Sequence, residues 1–524
     1  MKIQEREKVV RKMSLEKEKL FDNNDEVIEP DGVEVRKRNV AYYYHKDVGH
    51  FHYGQLHPMK PQRLVVCNDL VVSYEMPKYM TVVESPKLDA NDISVFHTQD
   101  YVNFLQTVTP KLGLTMSDEV LKKFNIGEDC PIFPGIWDYC TLYAGGSVEG
   151  ARRLNHNIND IVINWPGGLH HAKKSEASGF CYVNDIVLGI LELLKYHKRV
   201  LYIDIDIHHG DGVQEAFNNS DRVMTVSFHR FGQYFPGSGS IMDKGTGPGK
   251  YFAINVPLMA AIRDEPYLKL FESIISSVEE NFNPEAIVLQ CGSDSLCEDR
   301  LGQFALSFNA HARAVKYVKS LGKPLMVLGG GGYTLRNVAR CWALETGVIL
   351  GLKMGDEIPG TSLYSHYFTP RLLRPNLVSK MSDANSPAYL ASIEQETLQC
   401  LRMIRGAPSV QMREIVGIRL EEIEQIEENE RIQRLSQSTI EREVSKVSEK
   451  MEEECLVHEK PRSSTFPAGQ DPRRIGQYWG YERSEVAPPR SRSDVIEEGK
   501  YEERGCVPIT AIKWYSFDEI DPAT

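Results

Sequence analysis

The chain has 524 residues, 41% of them hydrophobic and 26% charged, a composition typical of a globular protein. Its formal net charge of −12 argues against unassisted binding to a phosphate backbone, so we expect no direct sequence-specific contact with DNA. The N-terminus lacks the apolar core of a signal peptide, and no apolar run reaches the ~20 residues needed to cross a bilayer. We therefore expect an intracellular protein that has no membrane partner.

Ten cysteines are scattered along the chain without a Cys-x-x-Cys pair. Several of them, including Cys67, Cys140 and Cys341, lie in apolar segments. Reduced packing thiols are therefore expected, and a zinc site made of cysteines is not.

Composition divides the chain into three regions. Residues 1–38 are dominated by charged side chains and predict a solvated helix or a disordered arm. Residues 39–410 contain the apolar runs of a large domain, and the β-rich run at residues 40–45 is typical of an edge strand that enters it. Residues 411–524 predict a charged amphipathic helix followed by a flexible tail.

Short apolar runs alternate with helical patterns in the large domain. The runs at residues 160–165, 200–207, 223–228, 286–290 and 324–328 predict buried strands. Residues 184–196, 303–319 and 337–350 have the apolar spacing of helices. This alternation predicts an α/β fold in which helices flank both faces of an open, largely parallel sheet.

Polar segments follow the predicted strands near the points where they end. These segments are Gly167-Gly168-Leu169-His170-His171, Asp206 with His208, Ser227-Phe228-His229, Cys291-Gly292-Ser293-Asp294 and Gly329-Gly330-Gly331-Gly332-Tyr333. In open parallel sheets the ligand crevice lies outside the carboxyl ends of the strands. The five segments are therefore expected to converge on one site.

The most informative stretch is Leu-Tyr-Ile-Asp-Ile-Asp-Ile-His-His-Gly-Asp-Gly at residues 201–212. A strand has a side-chain period of two, so Asp204, Asp206 and His208 are expected on one face and the isoleucines on the other. One buried Asp or His is usually a hydrogen-bonded core group, but a cluster of them needs a cation or partner to neutralise it. Asp206 and His208, with Asp294 from another strand, would leave coordination positions open, as catalytic zinc sites do. A divalent cation there would suit hydrolysis.

Two further signals suit the same chemistry. His170 and His171 could act as general base and proton donor, with Asp204 and Asp211 fixing their tautomers. Tyr333, which follows four glycines, could hydrogen-bond a developing oxyanion. The competing interpretations are an exposed, inert histidine pair and a phosphate-binding glycine loop. The chain lacks the Lys-Ser/Thr of a P-loop, which disfavours nucleotide binding.

Seven motifs occur in a fixed order, and they carry a family resemblance. They are Gly-Glu-Asp-Cys-Pro at 127–131, Gly-Gly-Leu-His-His-Ala-Lys-Lys at 167–174, Ala-Ser-Gly-Phe-Cys-Tyr-Val-Asn-Asp at 177–185, and the stretches at 202–212, 234–237, 290–296 and 329–340. With them, residues 39–410 resemble the catalytic domain of class I zinc-dependent histone deacetylases, the nuclear corepressor type. The resemblance implies an arginase-like α/β fold.

The resemblance also implies a role for each matched catalytic or metal-binding residue. The zinc ligands match Asp206, His208 and Asp294; the acid/base pair matches His170 and His171; their carboxylate partners match Asp204 and Asp211; and the residue that polarises the acetyl carbonyl matches Tyr333. A structural potassium site matches Asp204 and Ser227.

Substrate and effector contacts follow from the same resemblance. The channel for the acetyl-lysine stem matches Gly179, Phe180 and Phe235, its rim matches Leu301, and the rim carboxylate that anchors the substrate backbone matches Asp129. The basic residues that hold an inositol phosphate between enzyme and corepressor match Lys60, Arg300 and Arg336.

The implied reaction is hydrolysis of N-ε-acetyl-lysine on histone tails to lysine and acetate. The implied setting is transcriptional repression and chromatin regulation within corepressor complexes, in the nucleus and also in the cytoplasm. Pro166 stands where the family usually has Ala, and Cys297 with Glu298 replaces small residues, but no catalytic group is lost. Two alternatives stay open: a catalytically weak scaffold, and a zinc amidohydrolase of acetylated polyamines or small amides.

Overall fold

The computed structural model describes residues 38–404, and eight parallel strands in this range form one sheet. The strands are β1 (Val40–Tyr44), β2 (Thr81–Glu84), β3 (Ile161–Asn164), β4 (Val200–Asp204), β5 (Val223–Arg230), β6 (Ala253–Leu258), β7 (Ala286–Gln290) and β8 (Leu325–Leu328). Their order across the sheet is β2-β1-β3-β8-β7-β4-β5-β6. The predicted open parallel sheet is confirmed.

Helices connect the strands and cover both faces of the sheet. They are α1 (Gln62–Ser73), α2 (Ala90–Ser94), α3 (Gln99–Thr107), α4 (Pro110–Gly113), α5 (Asp118–Lys123), α6 (Ile136–Asn155), α7 (Asp185–Leu193), α8 (Asp211–Phe217), α9 (Asp264–Phe282), α10 (Phe308–Ser320), α11 (Leu335–Leu350) and α12 (Pro387–Leu401). Side-chain caps begin several of them: Asn184 accepts from the backbone N–H of Val187 at the start of α7, and Ser307 does the same for α10.

The central strands are buried on both faces, as a parallel sheet between two helix layers requires. Alternate residues of β4 enter different hydrophobic clusters: Leu201 and Ile203 join the larger one, and Val200 and Tyr202 the smaller. The period of two expected for a strand therefore divides the core into two layers. The arginase-like α/β architecture implied by the resemblance agrees with this arrangement.

The expected edge position of residues 40–45 is wrong. β1 pairs with β2 on one side and with β3 on the other, and its first four residues are fully buried. The edge strand is β2, where Val82 is 52% exposed. β6, the opposite edge, was not predicted, because Pro257 and Asn255 interrupt its apolar pattern; a proline is tolerated at such an edge.

Two strand ends differ from the prediction. β4 ends at Asp204, and β5 continues to Arg230, so Ser227 lies within a strand and not after one. β4 stops because the carboxylate of Asp204 accepts from the backbone N–H of Asp206 (3.0 Å), and that of Asp206 from His208 N–H (2.9 Å). Such side-chain turns replace the ladder hydrogen bonds of a strand.

Within residues 38–404, no helix is both long and apolar enough to cross a membrane. Apart from residue 38, the predicted arm lies outside the described residues, as do the predicted C-terminal helix and tail. The boundaries of the 39–410 domain remain predictions.

Candidate active site

Three buried side chains, from the turns that follow two neighbouring strands, meet at the carboxyl edge of the sheet. Asp206 and His208 lie in the turn after β4, and Asp294 lies in a 3₁₀ turn after β7, which pairs with β4. His208 Nδ1 is 3.0 Å from Asp206 Oδ1 and 3.2 Å from Asp294 Oδ2. The ligand atoms of the three residues lie within 4.8 Å of one another. The structure thus brings together the predicted metal ligands.

Hydrogen bonds from neighbouring groups fix the orientation of both carboxylates. The backbone N–H of Ile207 donates to Asp294 Oδ1 (3.0 Å). The backbone N–H of Gly331 (2.8 Å) and the side-chain amide of Gln290 (2.9 Å) both donate to Asp206 Oδ2. A Cβ at position 331 would lie 1.9 Å from Asp294 Oδ2, so only glycine permits this close approach. Gln290 was not predicted as a site residue.

The electrostatics of this cluster fit a divalent cation. Burial and the charge of Asp206 together raise the pKa of Asp294. Burial alone would lower the pKa of His208, but hydrogen bonds to the two aspartates raise it to about 10. The field of the two carboxylates therefore strongly favours a positive charge at this position. Two carboxylates and one imidazole are the oxygen and nitrogen donors that zinc accepts in catalytic sites.

The adjacent histidines each form a hydrogen bond with a carboxylate, as predicted from the residue types. His170 Nδ1 is 2.8 Å from Asp204 Oδ2, and His171 Nδ1 is 2.7 Å from Asp211 Oδ1. The two imidazole rings are 3.9 Å apart between centroids and are buried. In each ring the carboxylate accepts the Nδ1 proton, which leaves Nε2 for chemistry.

The two histidines differ in pKa although they are neighbours. Burial would lower the pKa of His170, but Asp204 and Asp206 outweigh it and raise the value to about 9. For His171, burial and the charge of His170 lower the pKa to about 3 despite Asp211. The carboxylates thus favour the charged form of His170, and burial favours the neutral form of His171, which is the form that accepts a proton.

Two charged residues that were not predicted to have a role hold this histidine pair in place. Asp185 is buried, and Lys173 is half-buried. The carboxylate of Asp185, at the start of α7, accepts from the backbone N–H groups of Gly168 and Leu169, both at 2.9 Å, and so holds the turn before the histidines. Lys173 Nζ donates to Asp211 Oδ2 at 2.6 Å. Both residues lie inside quoted motifs, but spacing alone gave no sign of these contacts.

The glycine loop that carries Tyr333 is held from two sides. Asp299 Oδ2 accepts from the backbone N–H groups of Tyr333 (2.7 Å) and Thr334 (3.1 Å). The buried guanidinium of Arg63 donates to the carbonyls of Gly332 (2.6 Å) and Gly330 (2.5 Å). Neither Asp299 nor Arg63 was predicted, because each acts on backbone that is distant in sequence.

Aromatic side chains form the approach to the cluster. The ring of Phe180 lies 5.7 Å from that of Tyr333, and the ring of Phe235 lies 4.9 Å from that of His171. Gly179 has φ +51°, and a Cβ there would lie 2.4 Å from the His171 ring. Phe180 and Phe235 therefore lie next to the groups that would act on a substrate.

Three residues flank these aromatic walls. Asp129 Oδ2 accepts from the backbone N–H of Gly179 at 3.1 Å. The hydroxyl of Tyr234 donates to the Leu301 carbonyl at 2.7 Å, and its ring stacks on His208 with centroids 5.1 Å apart. Tyr234 belongs to a quoted motif but was not assigned a role; its stacking orients the His208 imidazole.

The residues matched to a potassium site and to an inositol phosphate site are placed as follows. Asp204 and Ser227 are paired across β4 and β5, and Ser227 Oγ is 2.9 Å from His229 Nδ1. Burial and, to a lesser extent, the charge of Arg300 lower the pKa of Lys60, and Lys60 Nζ donates to the carbonyls of Gly54 (2.8 Å) and Gln55 (2.7 Å). Arg336 is exposed on the first turn of α11.

Comparisons with known proteins agree with this geometry. The histone deacetylase domain model matches residues 57–349, a range that contains every site residue named above. A Caenorhabditis elegans protein named "Putative histone deacetylase 2" is 90% identical over 485 residues, 93% of this chain and 96% of that protein. Human "Histone deacetylase 1" is 52% identical over 72% of this chain and 78% of its own length.

The chain belongs to the histone deacetylase family. "Histone deacetylase 19" of Arabidopsis thaliana is also similar, at 54% identity over 74% of this chain and 76% of that protein. The resemblance inferred from the seven motifs is therefore confirmed, and the chain is a member of a family of hydrolases.

Proposed function

We propose that this chain is a zinc-dependent lysine deacetylase that hydrolyses N-ε-acetyl-lysine on histone tails to lysine and acetate. The observation that carries the proposal is geometric: two buried histidines, His170 and His171, each hydrogen-bonded to a carboxylate through Nδ1, lie next to three convergent ligands. Those ligands, Asp206, His208 and Asp294, would hold zinc. When bound, zinc supplies a Lewis acid that polarises the amide carbonyl and lowers the pKa of water.

The protein side chains then move protons and bind the developing charge. His171 accepts a proton from the attacking water and later gives it to the leaving lysine amine, with Asp211 fixing its tautomer. His170, whose charged form Asp204 favours, would stabilise the negative charge. Burial raises the pKa of Tyr333 well above its usual range, so its hydroxyl stays protonated. It can therefore donate a hydrogen bond to the oxyanion.

Substrate selection follows from the walls and rim of the site. Phe180 and Phe235 offer apolar faces suited to the methylene stem of an acylated lysine. Asp129 would accept hydrogen bonds from the substrate backbone, with Leu301 at the rim. The net charge of −12 suits a cationic histone tail.

Further parts of the proposal concern ions, partners and location. Potassium would bind at Asp204 and Ser227, where it would stabilise the end of β4. An inositol phosphate would bind at Lys60, Arg300 and Arg336, and corepressor subunits would join the enzyme there. Such a complex would act in transcriptional repression in the nucleus, and the chain could also reside in the cytoplasm.

The test uses full-length, zinc-loaded protein and an acetylated histone-tail peptide, with released acetate as the readout. We expect release that a hydroxamate blocks and that His171→Ala abolishes. Ser85→Ala is the control, because the buried hydroxyl of Ser85 has no hydrogen-bond partner within residues 38–404. Folded, zinc-loaded protein that stays inert even with a corepressor would refute the proposal, as would a preference for acetylated polyamines over the peptide.

A further inference from the structure

A second buried polar cluster lies behind the Asp294 turn. Ser295 directly follows Asp294, His311 lies near the start of α10, and Glu345 lies in α11. Their side chains are at most 2% exposed. The reaction proposed above does not use any of them.

These three side chains form a continuous series of hydrogen bonds. Ser295 Oγ is 2.8 Å from the Ile205 carbonyl and 2.7 Å from His311 Nε2. His311 Nδ1 is 3.0 Å from Glu345 Oε1. The series starts at the backbone between Asp204 and Asp206 and ends inside the helix layer.

The hydrogen bonds of the series are donated in one direction, from Glu345 towards the Ile205 carbonyl. Glu345 Oε2 has no hydrogen-bond partner among residues 38–404, and burial raises the pKa of Glu345. A protonated Glu345 donates to His311 Nδ1, His311 Nε2–H donates to Ser295 Oγ, and the Ser295 hydroxyl donates to the Ile205 carbonyl. Each donor in this series then meets one acceptor.

We propose that Ser295, His311 and Glu345 are positioning residues that fix the distance between the two ligand-bearing turns of the proposed zinc site. One end of the series holds the backbone next to Asp206, and Ser295 is covalently attached to Asp294. Substitution of residues that orient metal ligands typically lowers metal affinity or activity about 10-fold to 100-fold. The inference rests on the proposed zinc site, but not on turnover.

A second metal at this cluster is the alternative. His311, Cys341 and Glu345 have ligand atoms within 4.8 Å of one another, and Cys341 Sγ is 3.6 Å from Glu345 Oε1. Both ring nitrogens of His311 already have partners. The hydrogen-bonded series therefore accounts better for the cluster than a metal does.

The experiment measures the zinc affinity of the full-length chain by competition with a chelator. Ser295→Ala and Glu345→Ala should each weaken zinc binding about 10-fold, and the double variant should do no worse, because both break one series. Glu345→Gln keeps a neutral donor for His311 Nδ1 and should restore the affinity to within about 2-fold of the parent chain. Ser85→Ala is the control for loss of a buried hydroxyl.

Three results would overturn the inference. The first is unchanged zinc affinity in variants that lose only resistance to denaturant, which would make the cluster purely structural. The second is additive loss in the double variant. The third is two zinc ions per chain, one of them lost in Cys341→Ser. Because affinity is measured without turnover, a chain that binds zinc but does not deacetylate would refute the proposed reaction and not the positioning role.

Discussion

Asp204 and Asp206 are two residues apart and fully buried, yet they contact different parts of the site. The carboxylate of Asp204 accepts from His170 Nδ1 and from the Tyr202 hydroxyl (2.6 Å). That of Asp206 contacts His208 and Gln290 instead. One of the two therefore orients a histidine, and the other belongs to the candidate zinc ligands.

This division predicts different outcomes for the two aspartates. Asp206→Ala should abolish zinc binding, since it removes a ligand from a three-residue set. Asp204→Asn should keep most of the zinc but slow turnover, because it weakens the hydrogen bond that orients His170 and leaves all three candidate zinc ligands in place. Metal analysis of dialysed protein, combined with the peptide assay, measures both effects. Equal zinc loss in the two variants would contradict the assignment.

Lys173 offers a second test at this scale. It anchors Asp211 Oδ2, while Asp211 Oδ1 accepts from His171. Lys173→Gln should lower kcat about 10-fold with little change in KM, because the carboxylate that orients His171 loses one of its three hydrogen-bond partners. Lys173→Arg is the matched control and should recover most of the loss. A change confined to KM would argue for a role in substrate binding instead.

At the level of strands and loops, residue types alone predicted where the candidate catalytic residues would lie. Polar residues after β3, β4, β7 and β8 do converge, since the carboxyl ends of parallel strands share one edge. The supporting contacts could not be predicted in this way. Asp299 and Arg63 bind backbone groups of the glycine loop, and backbone groups leave no signature in the sequence.

Asp299 provides the test for the loop that carries Tyr333. Its four hydrogen bonds come from the backbone N–H groups of Leu301, Gly302, Tyr333 and Thr334. Asp299→Asn places an amide NH₂ against two of these donors, so the loop should shift and kcat should fall about 10-fold to 100-fold. Zinc content should not change. Unaltered kcat would show that the position of Tyr333 does not depend on this carboxylate.

At the level of the whole molecule, sequence patterns identified most central strands but not the order of strands in the sheet. β1 resembled an edge strand in composition, yet it is covered on both sides. Strand order depends on long-range packing, which local periodicity does not record. Resemblance to a known family supplied the fold that periodicity could not.

Buried histidines make the stability of the molecule depend on pH. His97 Nε2 accepts from the backbone N–H of Asn184 (3.0 Å), and burial lowers its pKa from 6.5 to about 4. Below pH 6.5 the unfolded chain binds a proton that the folded chain excludes, so stability present above pH 6.5 is lost as the pH falls towards 4. The titration of His97 alone should lower the free energy of unfolding by about 2 kcal/mol between pH 7 and pH 5.

Denaturant unfolding of zinc-free protein at pH 7 and pH 5 tests this expectation. His97→Gln retains an acceptor for the Asn184 N–H but does not titrate, so its loss of stability should be smaller by about 2 kcal/mol. Equal losses in the variant and in the parent chain would show that other groups cause the pH dependence.

The place of β8 in the sheet has a consequence for biosynthesis. β8 lies between β3 and β7, although it is the last of the eight strands to be translated. Before it is made, the β2-β1-β3 group, which precedes the histidine pair, has no hydrogen-bonded connection within the sheet to β4 and β7, the strands that lead into the proposed zinc ligands. A nascent chain should therefore assemble its complete catalytic centre only after residues 325–328 have left the ribosome, and zinc would be captured late, by a nearly finished domain.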